Sequence, residues 1–181
     1  MKTLILNGSP RKRGETASMM NALLSELPGE VQVLNAFEQK ISPCVDCRYC
    51  RTHAGCAIKD GMQALYRLIE ESDNIVIASP IWFAALPGPL LTLGSRAQCY
   101  FSARFFRKEP LIGGKKGAVL LSAGGSGGVE EAFKTASILL RELGAEQIAP
   151  VAAAVHTDTL PAAEDTAALQ AVRAVAEFLR G

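Results

Sequence analysis

The stretch that decides the fold lies at the start of the chain, where the apolar run Leu4-Ile5-Leu6 leads directly into NGSPRKRGET at residues 7–16. A helical pattern begins at the end of this segment, so together they predict a buried strand, a short loop and a helix start. The first amides of a helix have no internal partners and lie at the positive end of its dipole. This order of elements predicts a phosphate site after the first strand.

The loop also supplies side chains suited to a phosphate. Gly8 allows close approach of the backbone, Ser9 and Thr16 offer hydroxyl donors, and Arg11 offers a guanidinium. The basic residues at 11–14 could instead form a solvated turn with no ligand, and this alternative stays open.

The spacing of the loop excludes two common nucleotide sites. Five residues separate Gly8 from Gly14, and Glu15 follows, whereas the triphosphatase loop has four residues between its glycines and then Lys and Ser or Thr. The dinucleotide pattern requires a second glycine at the position that Pro10 occupies. A mononucleotide with one phosphate, such as FMN, is the simplest remaining ligand.

Length and composition fit one globular unit, so we expect a single domain over residues 1–181. The chain has 19 basic and 18 acidic side chains, which argues against nucleic acid or an acidic membrane as a partner. The sequence shows neither a signal-peptide pattern nor an apolar run long enough to cross a bilayer. We therefore expect a cytoplasmic protein.

Strand-like and helix-like segments alternate along the chain. Strands are predicted at 2–6, 31–35, 74–79, 118–122 and 147–152, and helices at 16–27, 61–72, 90–106, 130–143 and 162–179. The pattern predicts an α/β fold, a three-layer doubly wound five-stranded parallel sheet with the flavodoxin-like order 2-1-3-4-5.

Two further loops should meet the phosphate loop at the carboxyl edge of this sheet, where such folds bind ligands. Both have compositions suited to a planar ring, through aromatic neighbours and glycines that let amides approach. Their candidate residues are Pro80, Ile81, Trp82 and Phe83 after the third strand, and Ala123, Gly124 and Gly125 after the fourth. Ordinary packing of the two aromatic rings against the core is the alternative.

A cysteine-rich segment at 43–59 follows the second strand. Its four cysteines have two-residue gaps and then a five-residue gap, a dense spacing typical of [4Fe-4S] ligation; they are Cys44, Cys47, Cys50 and Cys56. Metal-free thiols remain a second interpretation, and a zinc site, which His53 could join, a third. Cys99 lies on an apolar helix, where a buried structural role is expected.

The motifs GSPRKRGET, SPIW and SAGG together resemble the NAD(P)H-dependent FMN reductases of flavodoxin-like fold, over essentially the whole chain. CVDCRYCRTHAGC is similar to the iron-sulfur flavoproteins within that group. The resemblance implies FMN phosphate on Ser9, Arg11, Thr16 and Ser18, with the ring edge near 80–83 and 123–125. Gly14 is a further candidate contact of the cofactor. Glu15 replaces a common Asn, so its carboxylate should point away from the phosphate. After the third-strand loop, the family often has a lysine followed by Asp-Arg. In this chain the aligned stretch LLTLGSR keeps only the arginine, Arg96.

The expected activity is an FMN-dependent oxidoreductase that passes electrons from NAD(P)H or a ferredoxin-like donor to an unidentified acceptor, with a [4Fe-4S] cluster as a candidate relay. No side chain is assigned as a catalyst, because the flavin would carry the chemistry. A non-catalytic electron carrier, or a metal-binding redox-responsive protein, is the alternative.

Four of the ten Phe and Tyr residues fall at 98–107, which predicts a homodimer or higher homo-oligomer through this region. A wide core helix in a monomer is the alternative.

Overall fold

A computed structural model describes residues 1–110 and 112–181. Its centre is a parallel sheet with the order β2-β1-β3-β4-β5. A short sixth strand follows β5 in the chain and pairs with the end of β4. The predicted strand order and three-layer architecture are confirmed. The strands are β1 (Lys2–Asn7), β2 (Glu30–Asn35), β3 (Asn74–Pro80), β4 (Lys115–Ser122), β5 (Ala145–Ile148) and β6 (Ala152–Ala154).

The last strand differs from the prediction, because the expected strand at 147–152 is two short pieces. Pro150 lies between β5 and β6 and has no N–H to donate to β4. β5 pairs with the start of β4, and β6 pairs with Leu120–Ser122 at its end. After the interruption, the chain continues along the same edge of β4 to its carboxyl end.

Helices cover both faces of the sheet. They are α1 (Glu15–Leu24), α2 (Met62–Glu71), α3 (Gly88–Ser95), α4 (Gln98–Ser102), α5 (Val129–Glu142) and α6 (Thr166–Arg180). α1 and α6 bury their apolar residues in one layer, and α2 to α5 bury theirs in the other. α6 begins later than predicted because the Asp165 side chain accepts a hydrogen bond from the Ala168 amide at 2.9 Å and caps the helix.

The predicted helix at 90–106 is wrong, because the structure breaks it into α3, α4 and a π-helical turn at Ala103–Arg107. At the first break, the amides of Arg96 and Ala97 donate to carbonyls three residues back. The carbonyl of Arg96 accepts the Tyr66 hydroxyl at 2.9 Å, and the Cys99 amide donates to it over a longer distance of 3.4 Å. Apolar periodicity could not indicate this break, because Leu93 and Cys99 on either side are both buried in the same layer.

Candidate functional site

The loop after β1 is held by hydrogen bonds within itself and to β3. The Gly8 amide donates to the Ala78 carbonyl at 2.8 Å, and the Ser9 amide donates to Asn7 Oδ1 at 2.8 Å. The Arg11 amide donates to Ser9 Oγ at 3.2 Å. Gly8 is required here, because a Cβ would lie 2.8 Å from Ser79 Oγ and 2.9 Å from a methyl carbon of the Leu90 side chain. The loop is therefore closely packed against β3 and α3.

The start of α1 has unpaired amides. Gly14 precedes the helix, no side chain caps it, and the first helical hydrogen bond runs from the Ser18 amide to the Gly14 carbonyl. The amides of residues 15–17 therefore lack helical partners. An open cavity of about 330 Å³ lies beside this end and is lined by Lys12, Arg13, Gly14, Glu15, Ala17, Ser18 and Asn21. This end of the helix is positive and accessible to an anion.

Two buried hydroxyls connect the helix start to the end of β4. Thr16 Oγ1 and Ser122 Oγ lie 2.7 Å apart, and both residues are buried. Sequence reasoning selected Thr16 but missed Ser122. The available signal was its place at the end of the fourth strand, directly before the glycines that were selected.

Glu15 points away from the loop. Its Oε2 accepts a hydrogen bond from the Ala162 amide at 2.6 Å, close to the start of α6. The carboxylate therefore has a partner outside the loop and leaves the unpaired amides free for another anion.

The loop after β3 forms a tight turn. Trp82 and Ala85 exchange two backbone hydrogen bonds of 3.0 Å, while Phe83 and Ala84 adopt φ values of 52° and 59°. Such a turn normally contains glycine or asparagine. The Phe83 side chain is fully exposed, and Trp82 is 43% exposed, with its ring centre 6.0 Å from the ring centre of Phe37. Core packing of the Phe83 ring is excluded.

The loop after β4 lies against the loop after β3. A Cβ on Gly128 would overlap Ala84, and one on Gly124 would overlap the Asp158 carboxylate. The Ile81 amide donates to the Ser122 carbonyl at 2.8 Å, and the Ala123 amide donates to the Ala154 carbonyl at 2.9 Å. The structure thus brings all three predicted loops to one edge of the sheet.

The other predicted flavin-site residues occupy these same loops with different exposures. Arg11 and Gly125 are exposed, whereas Gly14, Ser18, Ile81, Ala123 and Gly124 are half-buried, and Pro80 is buried at the end of β3. The loops fit FMN in three respects: unpaired amides at a helix start, buried hydroxyls beside them, and glycine backbone at close approaches.

The cysteine-rich segment lies on the face covered by α2 to α5. Cys44, Cys47, Cys50 and Cys56 line one cavity of about 20 Å³, and Cys99 of α4 also contributes to its wall. The segment has one turn of 3₁₀ helix at Tyr49–Arg51 and is otherwise irregular. All five thiols are free. Burial raises the pKa of Cys99 to about 11, which fits its predicted structural role.

Contacts from α3, α4 and the π-helical turn position this segment. The Cys44 amide donates to Ser95 Oγ at 3.0 Å, and Cys50 Sγ lies 3.3 Å from Ser102 Oγ. The Arg107 guanidinium donates to the Cys50 carbonyl. The cysteines are therefore held by residues about 50 positions away in the chain.

An ion pair joins the two ends of the segment. Arg96 donates to Asp60 Oδ2 at 2.9 Å, and the Ser42 amide donates to the same oxygen at 2.9 Å. Burial alone would raise the pKa of Asp60, but hydrogen bonds from Arg96 and from the amides of Ser42 and Met62 lower it below the ordinary value. Burial alone would lower the pKa of Arg96, and the hydrogen bond to Asp60 raises it. Both groups are charged at neutral pH.

The thiols do not form a completed metal site. Within residues 1–110 and 112–181, no group of three or more Cys, His, Asp or Glu side chains is arranged so that it could hold a metal ion. The set of four thiols around one cavity nevertheless matches the ligand chemistry of an iron-sulfur cluster.

Residues 1–159 match the family model for NADPH-dependent FMN reductase. The chain belongs to this family. The predicted resemblance is confirmed, and the match supports an oxidoreductase that uses FMN.

Individual relatives agree with the family match. An iron-sulfur flavoprotein of Archaeoglobus fulgidus is 33% identical over 164 residues, which cover 89% of this chain and 70% of that protein. Among solved structures, an NAD(P)H:quinone oxidoreductase from Methanothermobacter marburgensis has a TM-score of 0.73 at 20% identity, covering 98% and 96% of the two chains. An FMN-dependent NADH-azoreductase from Bacillus anthracis, in complex with FMN, has a TM-score of 0.70 at 15% identity and covers both chains fully. At these identities the structural matches show a shared fold.

None of the helices in the described part of the chain is both long enough and apolar enough to span a membrane.

Proposed function

We propose that this FMN reductase family member binds FMN across the three loops at the carboxyl edge of its sheet. The phosphate would lie at the start of α1, held by Ser9, Arg11, Thr16 and Ser18. The convergence of the unpaired α1 amides with the buried Thr16–Ser122 hydroxyl pair carries this proposal.

The ring would lie beside the two other loops. Candidate contacts are Pro80, Ile81, Trp82 and Phe83 on one side and Ala123, Gly124 and Gly125 on the other. When bound, FMN supplies hydride and single-electron transfer. The chain's own part is to hold the phosphate, to bring backbone amides to the ring and to leave the exposed Trp82 and Phe83 edge open to a second molecule.

A comparison of FMN with riboflavin tests the phosphate site. We expect Ser9→Ala and Thr16→Val each to weaken FMN binding about tenfold, because each loses a hydrogen bond to a charged group. Riboflavin, which lacks the phosphate, should be affected little. Quenching of flavin fluorescence measures both affinities, and Ser25→Ala at the exposed end of α1 is the matched control. Equal losses for FMN and riboflavin would contradict the assignment.

For turnover, we propose NAD(P)H or a ferredoxin-like protein as donor and a small molecule or protein as acceptor. The family match supports the nicotinamide donor, and the similarly folded NAD(P)H:quinone oxidoreductase of Methanothermobacter suggests a quinone as the first acceptor to test. Steady-state oxidation of NADH and NADPH, with and without a soluble quinone, tests this. No turnover by protein that holds FMN would favour the electron-carrier alternative.

We further propose that Cys44, Cys47, Cys50 and Cys56 hold a [4Fe-4S] cluster. Their dense spacing, their shared cavity and the name of the Archaeoglobus relative support this. The cavity has room for about one water, so the side chains around it must move apart to admit a cluster.

Iron and sulfide content after anaerobic reconstitution tests the cluster. We expect each of the four Cys→Ala variants to lose it, while Cys99→Ala retains it. Zinc in place of iron would favour the zinc interpretation, and protein without either metal would favour free thiols.

Two broader assignments complete the proposal. Residues 1–181 would act as one FMN-binding domain with the segment 43–59 inserted after β2, which fits the single sheet and its two apolar layers. The five free thiols fit a reducing compartment such as the cytoplasm.

Homo-oligomerisation through 98–107 is also proposed. Phe105 and Phe106 are each 48% exposed on the π-helical turn, and the Arg51 guanidinium lies 4.5 Å from the centre of the Phe106 ring. Sedimentation velocity at micromolar concentration should show a dimer or larger species, and Phe105→Ser should shift it toward monomer. A wild-type monomer would contradict the proposal.

A further inference from the structure

Arg96 is a buried positive charge with an incomplete set of partners. Its side chain has no exposed surface, and its Nε has no hydrogen-bond partner in the described part of the protein. Leaving a charged group buried is costly unless its charge and donors are compensated. Asp60 compensates the charge from one side. The Nε of Arg96 remains as a donor that a further anionic group could use.

The contacts of Arg96 are concentrated at the two ends of the cysteine-rich segment. One guanidinium nitrogen donates to the Ser42 carbonyl at 2.8 Å and to Asp60, and the other donates to the Ile58 carbonyl at 3.1 Å. These acceptors lie two residues before the first cysteine and two and four residues after the last. Arg96 thus holds the segment closed at its base.

Arg96 also lines the cavity that the four cysteines line. Thiolates that hold iron are anionic, and reduction of a cluster adds one more negative charge. A fixed positive charge in the wall stabilises the more negative state, most strongly where water is excluded. Arg96 therefore combines two features of a residue that tunes a redox centre: it is fixed, and its charge lies beside the ligands.

We propose that Arg96 is a positioning residue that ties the ends of the cysteine-rich segment together and raises the reduction potential of the cluster held there. This inference rests on the proposed cluster. Asp60 acts in the opposite direction on the potential, because its carboxylate is negative and partly offsets the charge of Arg96.

The test compares reduction potentials of the reconstituted full-length protein and its variants, followed by absorption and electron paramagnetic resonance in a redox titration. We expect Arg96→Gln to shift the potential of the cluster to more negative values and Asp60→Asn to shift it to more positive values. Arg96→Lys should keep a potential close to that of the wild type, because the charge remains. Arg104→Gln, which removes an arginine paired with Glu142 outside this cavity, is the matched control and should leave the potential unchanged.

A purely structural role would give a different pattern. Arg96→Gln and Asp60→Asn would both loosen the ends of the segment, so both would shift the reduction potential of the cluster in the same direction or leave it unchanged. That result would overturn the proposal for Arg96 alone. Wild-type protein that takes up no iron and sulfide would overturn the proposed cluster and this inference with it. If Arg96→Gln fails to hold a cluster, the positive shift in Asp60→Asn still decides the charge effect.

Limited trypsin digestion of the cluster-free protein tests the tethering role. Arg48 and Arg51 provide cleavage sites inside the segment. We expect cleavage there to be several-fold faster in Arg96→Gln than in wild type or Arg104→Gln. Unchanged cleavage would show that Arg96 does not tether the segment.

Discussion

The phosphate loop after β1 and the cysteine-rich segment after β2 leave the same edge of the sheet but are held in different ways. The phosphate loop is held by hydrogen bonds that its backbone amides donate, from Ser9 to Asn7 Oδ1 and from Gly8 to the Ala78 carbonyl of β3. The cysteine-rich segment depends on partners from α3 and α4, such as Arg96 and Ser95. The phosphate loop therefore depends on the central strands of the sheet, whereas the cysteine-rich segment depends on a few side chains at and after the end of α3.

The two regions also differ in how ready they are for a ligand. The phosphate loop offers unpaired amides and buried hydroxyls in place. The four cysteines line a cavity but are not arranged to hold a metal ion. We therefore expect FMN to bind with little rearrangement and the cluster to order its segment as it forms.

The largest expected effect is on the ion pair between Arg96 and Asp60, which anchors the cysteine-rich segment. Arg96→Gln should lower the free energy of unfolding of the cluster-free protein by about 3 kcal/mol, because it leaves the Asp60 carboxylate buried without its charged partner. Arg104→Gln, whose ion pair with Glu142 is about one-third exposed, should cost about 1 kcal/mol or less. Urea unfolding measures both. Equal costs would show that the buried anchor is not special.

The next effect concerns the phosphate loop. Gly8→Ala should destabilise the protein by about 2 kcal/mol, because the new Cβ would crowd Ser79 and Leu90. It should also weaken FMN binding. Gly88→Ala is the matched control, since a Cβ there meets nothing within 4 Å. FMN binding that is unchanged in Gly8→Ala would place the cofactor elsewhere.

A pH series separates the charge of Asp60 from its packing. The pKa of Asp60 is lowered in the folded protein, so its ionised form stabilises the fold above the ordinary pKa of 3.8. This contribution is lost as the pH falls through the lower, folded pKa. The stability advantage of wild type over Asp60→Asn in urea should therefore be full at pH 7 and decline below about pH 4. Asp46→Asn, which removes an exposed carboxylate within the segment, is the matched control and should change the free energy of unfolding at pH 7 less than Asp60→Asn does.

The smallest expected effect is at Glu15. Glu15→Gln should strengthen FMN binding about twofold to threefold, because it removes a negative charge close to the phosphate site. It should also lower stability by about 0.5 kcal/mol, because an acidic residue in the first turn of α1 favours the helix. Riboflavin affinity should stay constant. A gain in riboflavin affinity as well would show that the effect does not act through the phosphate.

The three loops of the proposed FMN site could be predicted from sequence, because each follows a strand that its own short apolar run indicates. Alternating strands and helices indicated the order of the sheet, and the composition of three loops predicted which loops meet at its edge. Ser122 was missed because its partner, Thr16, is 106 residues away. The positive φ values of Phe83 and Ala84 were also hidden, since neither residue type favours that conformation.

The sequence by itself determined the order of the elements, the parallel sheet, the phosphate loop and the spacing of the four cysteines, because periodicity, turn residues and ligand spacing are read within short windows. Only the tertiary structure decided that the helix predicted at 90–106 breaks at Arg96, and that the buried side chain of this residue binds both ends of the cysteine-rich segment. The physical reason is that one buried charge must find its partners wherever the fold places them, and no local pattern records those partners.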